Sequence, residues 1–174
     1  YNAVQLSHYL LAFLLTWLYA RRIGLTTIGA LLAATVYVYG WFPPRICLEW
    51  AIIGGTWFPL ALWAVEGYLS DQRRGYLALL TVALGLQLLA GHFHLAFITQ
   101  LVVVLYVSGR LWLASRGLPV GTMARRTGVA LKLASAVGLA FGLSAVQLLP
   151  TWELKQSSQR ESVVGRKYEP GYGP

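Results

Sequence analysis

Six apolar stretches follow one another along this chain, and only short polar connectors separate them. The clearest cover residues 52–69, 76–90, 95–108 and 129–149. About 20 apolar residues in a helix cross a hydrocarbon core of about 30 Å. Shorter runs complete the crossing by tilting, by lying inside a bundle or by borrowing flanking residues. With 57% apolar and 11% charged residues, the chain lacks the polar surface that a soluble helical domain needs. The pattern predicts an all-α fold, a polytopic transmembrane helix bundle of about six spans. They fall near 4–20, 26–40, 51–69, 76–91, 94–109 and 129–149. Residues 1–150 would form the bundle and 151–174 a polar external tail.

The formal charge of +8 does not point to nucleic acid. The basic residues are dispersed between apolar spans rather than gathered on one face. The single Cys47 permits no internal disulfide. The start, YNAVQLSHYL, lacks the basic region of a cleavable signal peptide. The only methionine is Met123, so the chain is expected to be a piece of a longer polypeptide.

Alternation of the connectors gives an orientation. One side receives Arg21, Arg22, Arg73, Arg74, Arg110, Arg116, Arg125 and Arg126 against the single acid Asp71, with Lys132 nearby. Cytoplasmic loops carry an excess of Lys and Arg, so this side is expected to face the cytoplasm. The other side receives Arg45 with Glu49, the GHFH turn at 91–94 and the tail. Its tail mixes Lys155, Arg160, Arg166 and Lys167 with Glu153, Glu161 and Glu169. The expected location is a bacterial inner membrane, with both ends of this chain outside. Trp41, Trp50, Trp57 and Trp152 would mark the outer boundary, and Trp17, Tyr19, Tyr68, Tyr76 and Trp112 the inner one. Residues 111–128, rich in Arg, Gly and small residues, predict a cytoplasmic loop with a short interfacial helix.

Several features lie within the spans. Ala134, Gly138 and Gly142 recur at every fourth position and line one face of the last helix, a signal for close helix packing. Gly54 and Gly55 precede Pro59, which has no backbone donor, so a kink or irregular start is expected there. Glu66 is a costly carboxylate in a span. Its late position suggests that it reaches the interface near Arg73 or Arg74. His8, His92 and His94 fall on the outer half. An H-x-H pair falls short of the three or four ligands zinc takes, with Cys47 the only other soft donor. Histidines in membrane helices also ligate haem or chlorophyll, while hydrogen bonding to loops and headgroups is the simpler role. No metal site and no cofactor are assigned. In the tail, Lys155, Arg160, Arg166 and Lys167 with Ser157 and Ser158 offer contacts for a phosphate, against the alternative of a solvated loop. The chain contains no P-loop, G-x-S-x-G or H-E-x-x-H motif.

Four segments carry a resemblance. They are YARRIGLTTIGALLAATVYVYGWF at 19–42, WFPLALWAVE at 57–66, LGLQLLAGHFHLAFITQ at 84–100 and SAVQLLPTWELKQSSQR at 144–160. In this order and spacing the chain resembles the bacterial YfhO-like membrane proteins of the GT-C glycosyltransferase superfamily. The most specific pieces are LQLLAGH and QLLPTxEL followed by S-x-R. The resemblance implies a lipid-linked sugar donor, a polyprenyl phosphate sugar, used on the outer membrane face. It implies that His92 lines the cavity and that Ser158 and Arg160 border it, with Arg160 on the phosphate. Such enzymes carry their catalytic acid in a first external loop that is not in this chain, so no catalytic residue is assigned. A chain of this kind would cover roughly the third to eighth spans. The competing expectation is a non-catalytic accessory subunit of a larger photosynthetic or respiratory membrane complex, packed through Gly138 and Gly142. A transporter is disfavoured, because no inverted repeat is evident.

Overall fold

A computed structural model describes residues 2–40, 51–113 and 122–157, and these residues form helices joined by tight turns. The helices are α1 (Asn2–Arg22), α2 (Thr27–Tyr39), α3 (Ala51–Gly55), α4 (Trp57–Asp71), α5 (Arg74–Leu89), α6 (Phe93–Leu113) and α7 (Thr122–Ser157). Three of these helices are long and apolar enough to cross a membrane, over Ala3–Arg22, Phe93–Leu113 and Thr127–Gln156. Apolar helices Thr27–Tyr39 and Arg74–Leu89 are shorter. At about 1.5 Å per residue they rise about 20 and 24 Å, less than the hydrocarbon thickness. Together α3 and α4 make one interrupted span.

The turns follow from local chemistry. After α1, Gly24 adopts φ +97°, and Leu25 N–H returns to the Ala20 carbonyl at 3.1 Å. Thr26 then caps α2, its hydroxyl oxygen accepting from Gly29 N–H at 3.2 Å. α4 ends at Gln72, which turns left-handed at φ 55°. Its side chain donates to the Tyr68 carbonyl at 3.0 Å.

Side-chain contacts fix the directions. His8 lies beside Thr56 and Trp57, while Arg22 reaches Asp71, so α1 and α4 run parallel. Thr81 donates to the Ala136 carbonyl at 3.1 Å and Ser144 to the Gly85 carbonyl at 3.1 Å, so α5 and α7 also run parallel. α5 is central: it packs on α4 and α7 over long faces and touches α3 and α6.

Large and small residues are distributed as a lipid environment demands. The core includes Ala12, Ala30, Ala34, Ala61, Ala64, Ala83, Ala136 and Ala140, all buried. Ile28, Leu32, Val36, Phe97, Leu105, Leu139 and Val146 face outward, with Ile28 81% exposed. In lipid, hydrophobicity does not drive helices together, so close backbone approach and interhelical hydrogen bonds do that instead. Small residues inside and bulky ones outside are the result. The chain is an all-helical transmembrane bundle.

Three expectations are corrected. The face of α7 that enters the bundle is Val129, Leu133, Ala136, Ala140 and Ser144. Ala134, Gly138 and Gly142 are exposed, and nothing lies within 4 Å of where a Cβ would stand on either glycine. Their spacing puts them on one face, but Thr81 and Gly85 of α5 bond to the neighbouring one. The close approach involves Gly85, whose Cβ position meets Leu143 and the Ala140 carbonyl at 3.6 and 3.8 Å. Second, the segment at 111–128, expected as a loop with a short interfacial helix, continues the long helices at both ends, α6 through Leu113 and α7 from Thr122, while 114–121 lie outside the described residues. Third, Glu66 does not pair with Arg73 or Arg74. Arg110 forks onto it, Nε to Oε1 at 2.8 Å and Nη2 to Oε2 at 2.9 Å, and the Tyr106 hydroxyl donates to Oε1. Glu66 faces inward toward α6, where residue 110 stands level with it. α7 itself runs through Pro150 to Ser157.

A second polar cluster ties three helix ends at the same level. Arg22 bonds Asp71 at 3.3 Å, and its guanidinium lies 4.8 Å from the ring centres of both Trp63 and Tyr76. The Tyr76 hydroxyl donates to Asp71 at 3.0 Å. Gly67 makes room for that ring: a Cβ there would sit 2.5 Å from it.

The Glu66–Arg110 pair gives a direct test. Arg110→Met leaves a 4% exposed carboxylate without its cation. It is expected to lower unfolding free energy by on the order of 3 kcal/mol. Adding Glu66→Leu should recover most of the loss, measured by denaturant titration in detergent. Equal losses in the single and double variants would show that the stranded carboxylate is not the source of the loss.

Candidate functional site

Proline 59 dictates the chemistry of the interrupted span. It stands three residues into α4, and its ring nitrogen has no proton for the carbonyl of Gly55, four residues back. Buried away from water, such a carbonyl needs another donor. The Tyr37 hydroxyl, from α2, donates to Gly55 O at 2.7 Å. Next to it, the Gln87 side chain, from α5, donates Nε2–H to Gly54 O at 2.9 Å. Thr56, at the break itself, donates its hydroxyl to Ile52 O at 2.6 Å and lies 3.2 Å from His8 O. Residues from α1, α2 and α5 therefore converge on one stretch of exposed backbone polarity.

Gln87 also donates to Thr99 Oγ1, on α6, at 2.8 Å. Gly54 O can only accept, which fixes the amide orientation: nitrogen toward Gly54 and Thr99, oxygen away from them. That oxygen, Oε1, is buried and has no hydrogen-bond partner among the described residues.

A cavity of about 490 Å³ adjoins this network. Its wall includes Val36, Tyr37, Phe58, Gln87, Ile98 and Thr99. A second, of about 360 Å³, lies among α1, α2 and α4 and includes Thr16, Tyr19, Ile23 and Leu62. Tyr37 and Phe58, stacked with centroids 6.4 Å apart, belong to the walls of both. Both linings are predominantly apolar, and neither contains a charged residue among the described residues.

His92 sits in the turn between α5 and α6, where Gly91 takes φ +81°. A Cβ on Gly54 would lie 3.9 Å from His92 Cβ and 3.5 Å from Leu95, so His92 packs directly on the interrupted span. The His92 and His94 rings meet edge-on at 6.3 Å. Desolvation, and then the neighbouring His94, pull the His92 imidazole below the ordinary histidine range, which favours its neutral form. Among the described residues no group of three or more His, Cys, Asp or Glu is placed to hold a metal ion. Arg160 and Ser158 lie outside the described residues, as do Cys47 and the 41–50 connector.

The residues that make this network were not singled out from the sequence, apart from the Gly54, Gly55 and Pro59 break. Gln87 was visible as a lone amide in an apolar helix, a position where polar groups are costly and need partners. Tyr37 carried no signal, because its role depends on α2 crossing the break.

Tyr37→Phe should leave Gly55 O without a donor. The expected loss is about 1–3 kcal/mol of stability. Amide exchange should accelerate at Trp57, Phe58 and Leu60, read by mass spectrometry in detergent. Unchanged exchange there would mean that the hydroxyl does not hold the break.

Comparison with curated proteins and with solved structures finds no match. Residues 1–168 match the family described as "Bacterial membrane protein YfhO". The match spans every helix described above, so this chain belongs to the YfhO family of bacterial membrane proteins.

Proposed function

We propose that this chain is the membrane part of a GT-C-type glycosyltransferase that takes sugar from a polyprenyl phosphate donor at the outer face of the bacterial inner membrane. The observation that carries the reading is the interrupted span, α3 and α4, next to an apolar cavity. Non-helical backbone within a membrane persists where protein or a cavity surrounds it. Membership of the YfhO family, whose motifs resemble those of GT-C enzymes, supports the same reading.

The arginines supply the orientation. Arg21, Arg22, Arg73, Arg74 and Arg110 belong to helix ends that meet at one level, opposite the level of Gly54 and His92. By the positive-inside rule the arginine end is cytoplasmic and the interrupted end faces outward. In this reading His92 borders the donor site as a neutral ring packed on Gly54, while Ser158 and Arg160 hold the donor phosphate. Arg160 supplies a fixed positive charge and a fork of donors suited to phosphate oxygens.

A second reading is a non-catalytic subunit of a larger photosynthetic or respiratory membrane complex. The observation that favours it is the open Gly138–Gly142 face of α7, which would admit another helix closely.

Reconstitution of the full-length protein with polyprenyl phosphate sugars separates the two. Arg160→Ala is expected to lower donor binding and transfer about 10- to 100-fold, the effect of losing a charged hydrogen bond. Unchanged transfer would remove Arg160 from the site. Absence of transfer with all donors, together with stable co-purifying subunits, would favour the second reading.

A further inference from the structure

The cleft among α1, α2 and α4 has a cation at one end and hydrocarbon along the rest. α1 packs against both α2 and α4 and forms its floor. Thr16 and Ala20 line it from α1, Ala33 and Val36 from α2, and Leu62 from α4. The stacked Tyr37 and Phe58 rings close the far end. From Leu25 to Tyr37 the wall follows α2 for about 18 Å. One leaflet contributes a similar depth, about 15 Å, to the hydrocarbon core. Spread over that length, the volume of about 360 Å³ gives a cross-section of about 20 Å², which suits a single hydrocarbon chain and excludes a helix of about 10 Å diameter. Val36 is 59% and Ile23 44% exposed, so the cleft opens sideways toward lipid.

The hydroxyls in the wall are already engaged. Thr16 donates to the Ala12 carbonyl at 2.7 Å, Tyr37 donates to Gly55 O, and Tyr19 hydrogen-bonds Tyr106. An occupant of this stretch therefore meets only apolar surface, which an alkyl chain fills at no polar cost.

The cation is Arg21. Its Nη1 donates to the Leu25 carbonyl at 2.9 Å, which holds the guanidinium beside a residue of the wall at the turn between α1 and α2. Its other N–H groups are left for further acceptors. Among the described residues no carboxylate pairs with it. Of the six acids in the sequence, Glu66 and Asp71 stand at this end of the bundle, and they pair with Arg110 and Arg22. Residues 114–121, which join α6 to α7 at the same end, contain no Asp or Glu. An uncompensated guanidinium thus stands at the mouth of a cleft about one leaflet deep. It can fork onto phosphate oxygens.

We propose that this cleft binds an anionic phospholipid from the leaflet at the arginine end, its phosphate on Arg21 and one acyl chain running between α2 and α4 toward Tyr37 and Phe58. A zwitterionic head carries its own ammonium, which offsets the attraction to Arg21, so the site selects a net negative head. It lies at the end opposite His92 and requires no sugar donor, so it stands apart from the glycosyltransferase reading.

The test uses the full-length protein at low salt in detergent micelles doped with phosphatidylglycerol or phosphatidylcholine, each bearing the same diazirine-tagged acyl chain. Photolabelling mapped by mass spectrometry is expected on cleft residues such as Val36 and Leu62. It should be about five-fold stronger for phosphatidylglycerol, the effect of one basic residue beside an anionic head. Arg21→Gln should bring the two lipids to equal labelling, and Arg21→Lys, which keeps the charge, should retain most of the preference. Because Arg21→Gln also disturbs the bond to Leu25, Ala33→Phe serves as an independent variant. It leaves the turn intact, fills the cleft and should remove labelling by both lipids. Equal labelling of the unsubstituted protein, an undiminished preference in Arg21→Gln, or labelling unaffected by Ala33→Phe would each overturn the proposal. So would a cleft that neither lipid labels, the result expected if another segment of the full-length chain fills it.

Discussion

One carbonyl that proline cannot pair organises the centre of this bundle. Pro59 removes the helical donor for Gly55 O, and no water is at hand in a membrane to replace it. The replacement comes from another helix, as the Tyr37 hydroxyl. That single bond requires α2 to cross the interrupted span at the level of the break. Phe58 then stacks on Tyr37, and the two rings separate the cavities on either side. Gln87 and Thr99 extend the same logic to α5 and α6. The bundle is held together there by satisfied polar groups, in a setting where apolar contact with a neighbouring helix offers little advantage over apolar contact with lipid.

The two ends of the bundle solve the polar problem differently. At the arginine end the interactions are ionic: Glu66 with Arg110, and Asp71 with Arg22. Arg110 is half exposed and can keep contact with headgroups along its length, so the buried carboxylate has a partner that is itself partly solvated. At the interrupted end the described network is neutral, made of carbonyls, hydroxyls and an amide. A neutral network avoids the desolvation penalty of buried ions. It also exerts no net charge on whatever enters the neighbouring cavity.

The spans were legible in the sequence because apolar runs in a membrane protein are nearly continuous. The break at Thr56 was legible too, since Gly54, Gly55 and Pro59 each act on their own backbone. The partners were not. Glu66 looked closest to Arg73 and Arg74 along the chain, but parallel α4 and α6 bring Arg110 level with it. Gly138 and Gly142 share a helical face by spacing alone, yet spacing does not say which face turns inward. On α7 the choice falls to Ala136, Ala140 and Ser144, because Thr81 and Ser144 form hydrogen bonds across α5 and α7 that the glycine face has no side chains to make. At the candidate site His92 packs on Gly54, a contact that only the fold reveals. Gln87 and Tyr37 acquire their roles only from tertiary crossing.

Gln87 shows why the neutrality of that end matters. Its nitrogen serves the fold by bridging α3 and α6, so the residue cannot be replaced by a simple hydrocarbon without exposing Gly54 O. A carboxylate at this position would offer no proton to Gly54 O, and an ammonium would donate there but place an unpaired charge in an apolar wall. An amide meets the structural demand at the cost of a leftover acceptor. Pro59 accounts for the Tyr37 bond to Gly55 O, and the break at Thr56 leaves Gly54 O to the Gln87 amide.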